Sequence, residues 1–273
     1  MEQPETEHRS LEAEKAATYR PTDYEHEFTP AEIARGSHRR RVGGMWRTMG
    51  ELQLRFLRSR GLRPEHRLLD VACGALRGGV RFVDYLEPGH YFGLDINESL
   101  LEAGYQHELS AQQRERLPRA NLRATDRFEC DFGVAFDYAM AQSLFTHVSL
   151  NHIRLCLYRV GQAMAPDGRF FATYFGAAGT HPVDGVLPAK KGLWTERNPY
   201  FYYRSDLRWA ARCTGWQVRF VGDWGHPRGQ LMAEFRRPTG AQRLVRERMR
   251  PGALRGTARR VPGVEAAYRA LRR

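Results

Sequence analysis

At 273 residues, 42% apolar and 11% aromatic, the chain carries enough core-forming side chains for one substantial domain with tails rather than several domains. The net charge of +12 would suit a polyanion, yet residues 241–273 hold ten arginines against Glu247 and Glu265, which leaves the rest of the chain at only +4 and argues against a nucleic-acid groove in the domain itself. No apolar run is long enough to span a bilayer, no basic-then-apolar leader opens the chain, and Cys73, Cys130, Cys156 and Cys213 form no Cys-x-x-Cys pair, so the composition reads as a cytoplasmic protein with reduced thiols and no metal framework.

Residues 1–30 carry eight carboxylates against three Lys and Arg bases and are expected to be disordered. A domain is expected over residues 31–238. Gly43-Gly44 precedes Met45, Trp46, Met49, Leu52, Phe56 and Leu57, apolar at helical spacing until Gly61. The run Leu68-Leu69-Asp70-Val71-Ala72 predicts a buried strand ending at Cys73-Gly74. Gly78-Gly79 then opens a helix through Val80, Val83 and Leu86, Pro88-Gly89 breaks it, and His90 to Asp95 supplies a second strand ending on a carboxylate. An acid at the end of a strand adjacent to a glycine turn is a nucleoside-binding arrangement, because turn N–H groups and a carboxylate converge on the ribose. The spacing is not G-x-G-x-x-G, and Asp70 beside the turn would repel a pyrophosphate while suiting a ligand with cationic centres.

Further along, residues 126–130 read as a short strand leading into Asp131-Phe132, and Phe136 to Ala141 as another that delivers Gln142, Ser143 and His147. Ile153, Leu157, Val160 and Met164 give a helical core face, and Pro166-Asp167-Gly168 turns into a fifth strand. The stretch 176–204, rich in Gly, Pro and aromatics including Trp194 and Tyr202, is read as an inserted lid. Ser205 caps a helix that Thr214-Gly215 ends, and two last strands flank Trp224, His226 and Arg228. Residues 239–273 form a basic tail.

The run Asp70-Val71-Ala72-Cys73-Gly74 resembles the first motif of the class I S-adenosylmethionine-dependent methyltransferases, acid-x-Gly-x-Gly-x-Gly, with Ala72 in place of the first glycine and Leu76 in place of the third. Asp95-Ile96, Asp131-Phe132 and the stretch 136–147 resemble further motifs of that family in the same order. The resemblance implies a Rossmann-like α/β fold: a seven-stranded, mostly parallel sheet with helices on both faces and an antiparallel last strand. It implies S-adenosyl-L-methionine as cofactor, held by Gly44, Asp70, Ala72, Cys73, Gly74, Gly78, Asp95, Ile96, Asp131, Phe132, Gln142 and Ser143. Ala72 suits an extended backbone and Leu76 requires negative φ, so Gly78-Gly79 is expected to make the close approach.

His147 is the candidate base, its imidazole titrating near neutrality, and Trp194, Tyr202, Trp224, His226 and Arg228 are the candidate acceptor contacts. No Pro-Pro-Tyr sequence follows Gln142, which speaks against amino-group acceptors of the DNA-adenine or glutamine type. The expected activity is methyl transfer to a small molecule, glycan or lipid-linked acceptor, at a hydroxyl. Two other readings stand beside it: methylation of RNA or protein drawn to the basic tail, which could also touch an anionic surface, and a non-catalytic cofactor-binding scaffold or regulator.

Overall fold

The computed structural model describes residues 26–177 and 199–237. Most of the acidic N-terminal segment, Trp194 with most of the expected lid, and the basic tail therefore lie outside the described residues.

The centre of the fold is β1 (Leu68–Val71), every residue of which is buried. It pairs in parallel with β2 (Tyr91–Asp95) on one side and β4 (Phe136–Ala141) on the other. Strands covered on both faces need largely apolar runs, and β1, β2 and β4 supply them, interrupted by Asp70 and Asp95 toward their carboxyl ends and by Asp137 at the start of β4. After β2 come α5 (Glu98–Ala103) and α6 (Ala111–Arg116), and β3 (Leu122–Ala124) closes one edge. β5 (Met164–Gly176) continues the sheet past β4, and β8 (Leu231–Arg236) lies antiparallel between β5 and β7 (Gln217–Gly222) at the far edge. The order is thus β3-β2-β1-β4-β5-β8-β7, with the two-residue β6 (Phe201–Tyr202) pairing with the end of β5. This is the mostly parallel, Rossmann-like sheet with an antiparallel last strand, β8, that the family resemblance implied. Two details depart from it. The third strand is residues 122–124 and not 126–130, because Arg123 ties the following chain into a loop by donating to the carbonyls of Glu129 and Asp131. The short β6 was not anticipated.

Strand side chains alternate between two clusters. Leu69, Val71, Leu94, Ala139 and Phe170 pack with Ile153, Cys156, Leu157 and Val160 of α7 (Leu150–Ala163) and Leu207 and Ala210 of α8 (Arg204–Cys213). Leu68, Tyr91, Tyr138, Met140 and Phe171 pack on the other face with Met49, Leu52, Phe56 and Leu57 of α3 (Trp46–Ser59) and Phe82 of α4 (Gly79–Tyr85). Each such side chain contributes about 1.5–3 kcal/mol by leaving water. α3 reaches α4 closely because Gly50 lacks a side chain: a Cβ there would stand 2.6 Å from the Arg77 carbonyl oxygen.

Ahead of α3, Thr29 caps α1 (Pro30–Ala34) with a capping box, and α2 (Ser37–Arg41) follows. The chain before α1 is held by Asn97, whose amide donates to the His26 carbonyl at 2.8 Å. His38 and Arg39 of α2 both engage the buried Glu108 carboxylate.

Candidate active site

The ends of β1, β2 and β4, the β7–β8 loop and residues 42–44 converge at the carboxyl edge of the sheet, where open parallel sheets bind ligands. Three residues in the turn after β1 have left-handed backbone: Ala72 at φ 64, Gly74 at φ 56 and Leu76 at φ 62. That corrects the expectation of an extended Ala72 and a negative φ at Leu76. The alternating left-handed path persists although two of its three positions lack glycine, and Gly78, at φ −79, needs no such freedom and begins α4. A non-glycine residue in this region costs about 1–2 kcal/mol, so the turn stores strain that its anchors must offset.

Those anchors are visible. Asp95 accepts from Gly74 N–H at 2.8 Å and from Asn97 N–H at 3.0 Å, fixing the turn against the end of β2. Burial raises its pKa, against the pull of these backbone donors. Ile96, directly after it, is 48% exposed, an apolar side chain left uncovered beside the carboxylate. Asp70 is buried, receives the Tyr91 hydroxyl at 2.8 Å, and is pushed up to about 7 chiefly by burial, with Tyr91 and Arg77 pulling the other way. Cys73 turns inward to the α3–α4 cluster, and burial pushes its thiol well up, so it is not a nucleophile.

Beyond β4 a polar network fills the corner. Ser143, itself at φ 64, receives the Gln142 amide at 2.6 Å and exchanges hydrogen bonds with Gln230. Its N–H donates to Thr173 Oγ1 at 2.7 Å, and that hydroxyl donates to Gln230 Oε1 at 2.7 Å. Gln142 Oε1 accepts from Arg77, and Gln53 Nε2 stands 3.5 Å from the same oxygen. His226 Nε2 lies 3.2 Å from the Gln142 nitrogen. Arg228 N–H donates to His226 Nδ1 at 3.1 Å, which puts the neutral ring's proton on Nε2. Arg77 thus takes the Gln142 oxygen, while the Gln142 amide nitrogen, itself a donor, faces the His226 Nε2–H in a close N···N contact that is not a hydrogen bond. Burial first, then Arg77 and Arg228, push His226 down to about 4, so it stays neutral at physiological pH.

The other candidates fall elsewhere. The His147 N–H closes a turn onto the Leu144 carbonyl at 2.8 Å, and it is His226 that reaches Gln142. Trp224 packs in the α3–α4 cluster against Phe56 and donates to the Gln230 carbonyl at 3.0 Å. Tyr202 packs in the α7–α8 cluster and donates to the Val148 carbonyl at 2.6 Å. These two aromatics thus belong to opposite core faces: Trp224 stays beside His226, ring centroids 5.6 Å apart, and Tyr202 does not join them. Phe132 is half-buried against Phe92 and Phe136 under Arg123, while Asp131 is exposed and receives Gly133 N–H at 3.2 Å. Gly44 lies in the 42–44 segment, its carbonyl receiving Arg77 at 3.0 Å. Sequence reading missed Arg77, Gln53, Thr173 and Gln230; a lone arginine inside the small-residue run Ala75 to Gly79 was the one available signal. Among the described residues, no group of His, Cys, Asp and Glu is placed to hold a metal, and no helix is long and apolar enough to cross a membrane.

Comparison with known proteins gives the same architecture. A family model described as a methyltransferase domain matches residues 69–170. The fold is similar to magnesium protoporphyrin IX methyltransferase of Synechocystis PCC 6803, solved with bound S-adenosylhomocysteine (TM-score 0.54, 15% identity, 75% of this chain and 95% of that one). It is similar too to an amino pentose methyltransferase of Micromonospora echinaspora involved in calicheamicin biosynthesis, solved with S-adenosylmethionine (TM-score 0.53, 19% identity, 78% and 99%). A glycopeptide N-methyltransferase complexed with S-adenosylmethionine aligns at TM-score 0.52 and 15% identity over 69% of this chain and 94% of that one.

Proposed function

We propose, from the premise that residues 69–170 form a methyltransferase domain and the chain has the class I fold, that this protein transfers a methyl group from S-adenosylmethionine to an oxygen of a small-molecule acceptor. Support for the cofactor comes from the left-handed turn 72–76 gripped by Asp95, whose carboxylate has capacity beyond its backbone donors to accept a ribose hydroxyl. Exposed Ile96 beside it suits the face of an adenine. The three solved relatives, each a methyltransferase of a small molecule or glycopeptide, are consistent with a small acceptor.

The observation that carries the choice of oxygen is the donor surplus around Gln142. The Gln142 amide N–H and the His226 Nε2–H face each other with no acceptor between them, beside the Arg77 guanidinium on Gln142 Oε1 and with Arg228 behind. A protonated amine would be repelled there, whereas a hydroxyl or carboxylate oxygen can accept. With the cofactor bound, the acceptor oxygen would attack the methyl carbon and the C–S electron pair would pass to sulfur, leaving a neutral thioether; a carboxylate acceptor would give the ester directly, and a hydroxyl acceptor would release its proton to solvent.

The experiment incubates the protein with S-adenosylmethionine carrying a 13C-methyl and a small-molecule extract. We expect label in the small-molecule fraction with the carbon shift of an O-methyl group. Label confined to RNA or protein, or an N-methyl signal, would contradict this reading.

A further inference from the structure

A closed circuit of hydrogen bonds and one close N···N contact joins four segments distant in sequence. The buried guanidinium of Arg77 donates to the carbonyls of Val42 at 2.6 Å and Gly44 at 3.0 Å, and on its other side to Gln142. The Gln142 amide nitrogen stands 3.2 Å from His226 Nε2, His226 Nδ1 receives the Arg228 N–H, and the Arg228 guanidinium returns to the Gly43 carbonyl at 2.9 Å. All three carbonyls of residues 42–44 are thus bracketed by two arginines. The same segment lies on the turn that Asp95 grips, since a Cβ on Gly74 would stand 2.6 Å from Val42 Cγ1. Any shift of the Gly74 turn must move Val42, and Val42 shares its donor with Gln142.

Resting on the cofactor assignment above, we propose that Arg77 is a positioning residue that ties the 42–44 segment over the cofactor turn to the Gln142–His226 pair, so that filling the cofactor site sets the acceptor-facing side chains. The cofactor would then bind before the acceptor, because the acceptor corner takes its working arrangement only when 42–44 is seated. Arg suits this task and Lys does not, since only a planar fork serves two carbonyls and an amide at once.

Amide hydrogen exchange with and without saturating S-adenosylhomocysteine tests it, with calorimetry reporting binding separately. In the wild type, the ligand should slow exchange in 72–76 and 42–44 and also in 142–146 and 226–230, the distant segments by roughly fivefold or more. In Arg77→Met the ligand should still bind, with protection confined to 72–76 and 95–97, and Arg77→Lys should not restore the rest. If 226–230 is protected in Arg77→Met as in wild type, or is unaffected by ligand in wild type, the proposal is overturned. Arg228→Ala, at an exposed residue, opens the same circuit without threatening the fold, and unchanged exchange in 42–44 there would also overturn it. A wild type that binds no S-adenosylhomocysteine at all would instead remove the cofactor assignment.

Discussion

Ala72 and Leu76 stand where the family motif has glycine, yet both adopt left-handed backbone. Ala72→Gly relieves about 1–2 kcal/mol of strain against roughly 0.4–1 kcal/mol of added unfolded-state freedom. The variant should therefore be slightly more stable in urea titration, and Ala72→Val, whose branched side chain fits this region worst, clearly less stable. A less stable Ala72→Gly would mean the turn is not strained. Two buried groups give opposite pH signatures. Asp70, raised from 3.8 to about 7, binds more protons folded than unfolded, so its contribution falls as pH rises through that window. His226, lowered from 6.5 to about 4, binds fewer, so its contribution rises with pH over its own window. The two offset each other between about 4 and 6.5. Relative to wild type, Asp70→Asn should gain stability as pH rises and His226→Asn should lose it, as read from denaturation midpoints across pH 4–7. Parallel profiles for all three proteins would contradict both assignments.

At the scale of elements, the chain announced the strands that are buried on both faces and concealed the one at the edge. Leu68 to Val71 and Phe136 to Ala141 are apolar runs broken only by Asp70 and Asp137 because helices cover both sides, whereas β3 is three residues long, with Arg123 and Ala124 incompletely covered, and is defined by its ladder to β2 rather than by composition. The left-handed turn was misread for a related reason: backbone shape is set by anchors such as Asp95, 21 residues from Gly74, and residue type alone suggested otherwise. The Arg77–Gln142 contact spans 65 residues and leaves no local trace. Tyr202 and Trp224 looked like ligand aromatics because they sit among glycines and prolines, but hydrogen bonds to buried carbonyls commit them to the core. Packing of α3 on α4 depends on Gly50, so Gly50→Ala, which would press Cβ against the Arg77 carbonyl, should cost about 1–3 kcal/mol. It should also weaken S-adenosylhomocysteine binding, because Arg77 and its turn would shift. Wild-type melting and binding in that variant would show the two helices to be less tightly apposed.

For the whole molecule, charge and chemistry separate along the chain. Most of the +12 belongs to residues 241–273, so deleting them should leave cofactor affinity unchanged, with any loss restricted to binding of anionic partners. Strain, buried acids and the donor-rich corner gather at the carboxyl edge of the sheet, and the proposal that a nucleoside cofactor is held at Asp95 is what unites them. Calorimetric titration with S-adenosylhomocysteine tests that most directly. Wild type should bind one equivalent, and Asp95→Ala, which removes charged hydrogen bonds contributing about 1.5–3 kcal/mol each, should bind at least tenfold more weakly while retaining a cooperative melt. A wild type that does not bind, or an Asp95→Ala variant that binds equally well, would contradict the account.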